Sequence, residues 1–307
     1  MTGHIVVVGS LNMDLVVRSP RHPQPGETII GGEFRTFPGG KGANQAVAAA
    51  RLGGVVKMIG RVGTDAFGDV LIDTLARDRV DTAHVVRDGE SPTGVALITV
   101  DAASGQNTIV VASGANARVT PDDVDAADAA FEGAAVLLLQ LECPLPAVAR
   151  AIELEKRHGA RVVLNPAPAQ PLDPALLSGV DYLIPNQTEL ALLTGVPDAH
   201  AVREAAQRLQ AAGVRQVIVT LGKEGALVAE AGGETHLPAY RVQAVDTTAA
   251  GDAFVGAFAV ALLEGRSTRE AARWGNAAGA LAVTRAGAQP SLPTRAELET
   301  FLASSDL

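Results

Sequence analysis

The sequence predicts an α/β protein with a doubly wound, mostly parallel central sheet flanked by helices, plus a small second β-sheet. Three observations predict it. From Ala134 onward, short aliphatic runs alternate regularly with helix-period segments, the pattern of successive strand–helix units. The chain is 47% hydrophobic but only 3% aromatic, so its core must be built from Val, Leu, Ile and Ala, which suits strands buried on both faces. Two β-rich excursions, about 11–35 and 93–112, interrupt the alternation and carry no helix period.

The elements follow in order. His4 to Val8 is a continuous β-branched run and reads as a buried strand. Leu11 to Arg35 is punctuated by Pro and Gly and reads as strands and turns outside the main sheet. Ala43 to Leu52 reads as a helix, Val55 to Gly60 as a strand and Asp65 to Arg79 as a helix. Thr93 to Val100 and Asn107 to Ala112 are strand-like, joined by a turn over Ala102 to Gln106. Val136 to Leu141, Arg161 to Leu164, Tyr182 to Ile184 and Gln216 to Leu221 then read as parallel strands, with helical patterns such as Pro146 to His158 and Ala199 to Ala212 between them. Two more helical runs, Ala253 to Leu263 and Glu270 to Val283, follow. One large domain with a small β appendage accommodates all 307 residues, and no repeat or low-complexity linker divides them. Ligands of such sheets gather at the carboxyl ends of the strands.

Charge and composition narrow the function. The net charge of −9, without a block of like charge, argues against a nucleic-acid partner. The single cysteine, Cys143, excludes an internal disulfide framework, fits a reducing cytoplasm and reads as a passive buried thiol. The segment MTGHIVVVGS has no basic lead or long apolar stretch, so no signal peptide is expected. No run reaches the roughly 18 apolar residues of a membrane helix. The six histidines are scattered without metal-ligand spacing.

Two segments carry chemistry. In AVDTTAAGDAF, Ala244 to Phe254, small residues open a helix-like run. They leave backbone N–H groups free to meet an anion at the helix end carrying about half a positive charge. Asp252 stands there without an obvious packing role: it is either a first-turn cap or a base for an incoming hydroxyl. In FPGGKGANQAVAAARLGG, Phe37 to Gly54, a glycine-rich turn runs into an alanine-rich helix. Gly39, Gly40 and Gly42 would let a ligand approach the backbone, and Lys41 and Asn44 add a cation and an amide. The segment fits neither the P-loop pattern nor the dinucleotide fingerprint.

Together these segments resemble the two signature motifs of the ribokinase family of sugar kinases, the PfkB carbohydrate kinases. VGSLNMDLV, SPTGVAL, GANA, LLLQLECP, LNPAPA, PNQTE, VIVTLGKEG and VTRAGAQPS follow in that family's order, so the resemblance runs from about Ile5 to Pro293. It implies a ribokinase-like fold whose excursions at about 11–35 and 93–112 form a lid over a sugar. It also implies transfer of the γ-phosphoryl of ATP to the 5-hydroxyl of D-ribose, giving ribose 5-phosphate. A kinase for 2-deoxyribose, fructose or a nucleoside is the nearest alternative, and a non-catalytic sugar-binding protein the more distant one.

Site residues are implied position by position. Asp252 becomes the base, and the N–H groups of Ala249, Ala250, Gly251 and Asp252 the anion hole. Asn12, Asp14, Gly40, Lys41, Asn44 and Glu142 become the sugar shell. From the residues alone, Asn12 and Asp14 read rather as a turn leaving a strand than as hydroxyl ligands. Asn186 and Glu189 have the N-x-x-E spacing of one helix face, which serves a helix cap, hydrated Mg²⁺ beside phosphate, or both. Thr220, Gly222 and Gly225 resemble nucleotide contacts, and Asn276 matches a position beside the adenine. Asp246, Thr248, Ala282, Arg285, Gly287 and Ser291 correspond to a monovalent-cation site for K⁺. An exposed apolar face on the lid would make a homodimer contact.

Overall fold

The computed structural model describes residues 3–196 and 201–304. In chain order the first half runs β1 (His4–Val8), β2 (Asn12–Ser19), β3 (Phe34–Gly39), α1 (Lys41–Arg51), β4 (Val56–Gly63), α2 (Ala66–Arg77), β5 (Val80–Asp88), β6 (Gly94–Asp101) and β7 (Asn107–Ala112). Two short helices, α3 (Pro121–Ala126) and α4 (Asp128–Phe131), lead to β8 (Ala134–Leu139), α5 (Leu145–His158), β9 (Arg161–Leu164), α6 (Pro174–Leu177), β10 (Tyr182–Leu183) and α7 (Gln187–Thr194). The chain closes with α8 (Val202–Ala211), β11 (Gln216–Thr220), β12 (Ala226–Glu230), β13 (Gly233–Leu237), α9 (Ala250–Leu263), α10 (Thr268–Ala282) and α11 (Arg295–Ser304).

Nine strands form the central sheet in the order β13-β12-β11-β10-β9-β8-β1-β4-β5. Pairing is parallel from β5 to β11 and antiparallel only where β12 and β13 close one edge. Side chains alternate across a strand, so β1 feeds two cores. Ile5 and Val7 join the cluster made with α1, α9 and α10, while Val6 and Val8 join the cluster under α5 and α8. That sandwich explains why β1 is a continuous apolar run.

The chain leaves β1 toward β4 and β5, then returns to the other side of β1 as β8. The strand order therefore reverses at the crevice between the carboxyl ends of β1 and β8, where doubly wound sheets bind ligands. The two β-rich excursions join into one separate sheet, β3-β2-β6-β7, with β2 and β6 parallel and the outer pairs antiparallel.

Most elements lie where the sequence puts them. Three strands are additions: β5, whose Asp81, His84 and Arg87 mask its period, the short buried β12, and the polar edge strand β13. The helix expected from Ala253 begins at Ala250, because Ala249 takes the N-cap position. The expected start of α8 at Ala199 lies outside the described residues.

Candidate active site

The crevice is assembled by three close approaches of backbone. Gly40 (φ 89°) caps α1, and a Cβ on it would stand 2.6 Å from the Asn12 nitrogen. A Cβ on Gly42 would stand 2.6 Å from the Gly9 carbonyl carbon, and one on Gly39 2.4 Å from Asp14 Oδ2. These glycines are required by the loop after β1 and by Asp14 packing onto them, so their presence has a cause inside the protein. The approach is fastened by Ala43 N–H donating to the Ser10 carbonyl at 2.9 Å.

Asp252, the third residue of α9, is 6% exposed. Its Oδ2 accepts from Asn44 Nδ2 at 2.9 Å and its Oδ1 from Gln45 Nε2 at 3.0 Å. Burial raises its proton affinity; the Lys41 ammonium and the two amide donors oppose that rise. Lys41 lies among the charges of Asp252, Glu142 and Glu189, which outweigh its desolvation and hold it firmly protonated. Glu142, in the loop after β8, accepts from Ser10 Oγ and from Lys41 N–H. Asp14 is pushed up to about 7, first by burial and then by the charges of Glu142 and Asp252.

Asn44 has an unfinished side chain. Its nitrogen is committed to Asp252, and its Oδ1 is buried without a hydrogen-bond partner among the described residues. Buried acceptors are rarely left so. An acceptor beside a carboxylate is what a polyhydroxyl ligand satisfies.

At the N-terminus of α9 the sequence expects four backbone N–H groups free for an anion, and the structure differs at one of them. Ala249 caps the helix in the left-handed region (φ 58°, ψ 9°), an uncommon conformation for a residue with a Cβ. Ala250 N–H is occupied by the Thr247 carbonyl at 3.3 Å. The N–H groups of Ala249, Gly251 and Asp252 have no partner among the described residues, and a Cβ on Gly251 would meet nothing within 4 Å. The free donors therefore number three, not four, and Gly251 between them is exposed.

The remaining expected residues divide. Asn186 and Glu189 form a reciprocal capping box on α7, both bonds at 2.8 Å. Glu189 nonetheless lies close enough to Lys41 and Asp252 to feel their charges, and burial raises its proton affinity. Among the described residues no three carboxylates, histidines or cysteines gather into a metal site. One carboxylate beside a phosphate suits a largely hydrated Mg²⁺, which needs few protein ligands. Thr220 ends β11 and bridges to Asn186. Gly222 (φ 59°) has open space at its Cβ position, whereas a Cβ on Gly225 would lie 2.0 Å from the Leu237 carbonyl oxygen, so packing alone requires that glycine. Asn276 donates through Nδ2 to the carbonyls of Leu237 and Pro238, which leaves its oxygen as its free group.

Asp246 ties two loops together: it accepts from Thr248 N–H and Oγ1, and from Gly287 N–H at 2.9 Å. Ser291 is buried against the Ala288 carbonyl, Arg285 pairs with Glu297, and Ala282 accepts from Arg285 N–H. A cleft of about 680 Å³ opens between the small sheet and these loops, lined by Asp14, Phe37, Ile98, Asp246, Thr248 and Gly287 among others. It reaches the crevice through Asp14 but does not include Lys41 or Asp252. Cys143 is buried, its thiol pushed up to about 12 by desolvation and then by Glu142, and so is no nucleophile at neutral pH.

Sequence reasoning passed over three polar residues. Gln45 and Gln140 lie in line behind Asp252. Asn116 accepts from Leu11 N–H and donates to the carbonyl of Leu11 and to Asn12 Oδ1, so it holds the loop that carries Asn12. Gln140 did leave a signal: an amide closing the apolar run Val136–Leu139 needs a buried partner.

Residues 2–295 match the sequence pattern of the pfkB family of carbohydrate kinases. The chain is 45% identical to a ribokinase of Haemophilus influenzae over 97% of this chain and 98% of that one. It is 40% identical to a deoxyribokinase of Salmonella typhi over 98% and 99% of the two chains. The structure superposes on ribokinase of Arabidopsis thaliana complexed with ribose and ATP with a TM-score of 0.91, at 36% identity, covering 99% of this chain and all of that one.

Proposed function

The chain belongs to the pfkB family of carbohydrate kinases, and we propose that it transfers the γ-phosphoryl group of ATP to the 5-hydroxyl of D-ribose. The observation that carries the proposal is Asn44, whose amide nitrogen holds the Asp252 carboxylate while its buried oxygen waits for a donor. A sugar hydroxyl is such a donor. The relatives that share this chain's length act on ribose or deoxyribose by name.

In the proposed reaction, Asp14, Asn44, Lys41 and Glu142 hold the sugar with Asn12 and the Gly40 backbone. The 5-hydroxyl rests against Asp252. The hydroxyl oxygen attacks the γ-phosphorus in line. As that P–O bond forms, the bond from phosphorus to the β,γ-bridging oxygen breaks, and ADP departs with the electron pair. The hydroxyl proton goes to Asp252. The free N–H groups of Ala249, Gly251 and Asp252 stabilise the charge on the transferring group.

The nucleotide lies on the side of Asn186, Thr220, Gly222 and Gly225, its adenine near Asn276. Glu189, through water, is the group that would hold Mg²⁺, which supplies charge neutralisation on the phosphates. The Asp246 loop, with Thr248, Ala282, Arg285, Gly287 and Ser291, is the place for K⁺, whose role would be to stiffen the turn from Asp246 to Asp252. The small sheet serves as the lid that excludes water. Its exposed Leu97 and Val110, paired on one face of that sheet, form the contact of a homodimer, which Val110→Asp should dissociate in sedimentation experiments. A cytoplasmic location fits a reaction that draws on ATP.

The test is purified protein with Mg-ATP and a panel of ribose, 2-deoxyribose, fructose and nucleosides, followed by ADP release. Ribose should give the highest kcat/KM. Higher turnover on 2-deoxyribose would align the chain with the Salmonella typhi relative, and no turnover on any sugar would leave only a binding protein.

A further inference from the structure

We propose that Gln45 is a positioning residue for phosphoryl transfer, fixing the Asp252 carboxylate through a buried relay of amides that runs from Gln140 through Gln45 to Asp252. The inference rests on Asp252 being the base.

Gln45 is completely buried, and every polar atom of its side chain is engaged. Its Nε2 donates to Asp252 Oδ1 at 3.0 Å and to Asn165 Oδ1 at 3.1 Å. Its Oε1 accepts from Gln140 Nε2 at 2.6 Å. The chemistry dictates this orientation. A carboxylate only accepts, so the nitrogen of Gln45 must face it, and its oxygen must then face a donor. Gln140, itself buried, supplies that donor, and its Oε1 occupies the space that a side chain on Gly9 would fill. Asn165 is turned the right way because its nitrogen donates to the Ile184 carbonyl at 2.9 Å. The relay thus joins the ends of β8 and β9 to α1 and α9, and leaves Asp252 Oδ1 one orientation.

The arrangement also bears on charge. Burial favours the neutral acid, and so do the nearby carboxylates Glu142, Asp14 and Glu189. Lys41, Asn44 and Gln45 favour the ionised form that a base needs. The amide N–H groups cannot take up the proton that Asp252 accepts, so they hold the carboxylate without competing for it.

The experiment compares Gln45→Met, which keeps volume and removes the amide, with Gln45→Glu, which sets a carboxylate against Asp252. Pre-steady-state and steady-state ribose phosphorylation are followed from pH 5 to 9. Losing one hydrogen bond to a carboxylate should move the acidic limb of kcat/KM up by about one pH unit in Gln45→Met, and further in Gln45→Glu. kcat should fall at least about tenfold, with KM for ribose changed less than kcat. Gln45→Met placed on Asp252→Asn should cost nothing more, because the partner it serves is gone. If Gln45→Met does not fold, Gln140→Met reads the same relay from one step further back and should shift the limb in the same direction by less. An acidic limb that coincides with the wild-type limb in these variants, with Asp252→Asn inactive, would overturn the relay alone. Near-normal turnover by Asp252→Asn would overturn the base assignment and the relay together.

Discussion

Gly256, one helical turn beyond Asp252, lies directly against Ala48 of α1: a Cβ on Gly256 would stand 2.5 Å from the Ala48 Cβ and 3.0 Å from the Gln45 carbonyl oxygen. The missing side chain lets α9 and α1 touch, and that contact brings Asn44 and Gln45 onto Asp252. Gly256→Leu should therefore cost about 1–3 kcal/mol of stability by overpacking. It should lower turnover as well, since the two helices must separate. Chemical denaturation and ADP release measure the two effects, and a variant with unchanged stability would contradict the packing account.

The raised proton affinity of Asp14 makes a signed prediction. Its folded value is about 7 against an ordinary 3.8, so the folded protein binds more protons than the unfolded chain between those values. The stability attached to Asp14 is fully present below about pH 4, is lost as pH rises toward 7, and falls no further above it. Asp14→Asn should accordingly be more stable than the wild type at pH 8, by roughly 2–4 kcal/mol. The advantage should vanish by pH 4, while ribose binding weakens. Urea unfolding at the two pH values checks the sign.

Asn44→Ala removes both the donor on Asp252 and the unpartnered acceptor beside it. KM for ribose should rise about tenfold, and KM for ATP should change little. Initial rates with each substrate varied in turn separate the two.

Glu189 is both half of a helix cap and the group assigned to Mg²⁺. Glu189→Gln keeps the capping box, because a glutamine oxygen accepts the same bond. Thermal stability should therefore hold. The Mg²⁺ concentration for half-maximal rate should rise about tenfold if the carboxylate orients the ion's water shell. An unchanged Mg²⁺ requirement would reduce Glu189 to its cap.

The parallel sheet was legible because buried strands such as Val6–Val8 and Val162–Leu164 are continuous aliphatic runs bounded by turn residues. β5 and β13 were not, because strands half open to solvent carry charged and polar residues that dilute the period, and β12 is a short buried run of two alanines, a leucine and a valine, whose alanines carry little strand preference. In the site, Asp252, Lys41, Asn44, Glu142 and Asp14 stood out as polar groups at strand and helix ends, and the fold brings them to one crevice. The glycines at 40, 42 and 225 are also required by backbone packing, which only three-dimensional proximity reveals. Gln45 was hidden by its neighbour: nothing in one sequence separates the amide that meets a ligand from the amide that meets a carboxylate.

The most direct measurement is of Asp252→Asn, at saturating ribose and Mg-ATP for turnover and by calorimetry for ribose binding. Asparagine keeps the size of the side chain but accepts a proton poorly. The account predicts a fall in kcat of at least ~10²-fold with ribose affinity nearly preserved. A kcat within a few-fold of the wild type would contradict it.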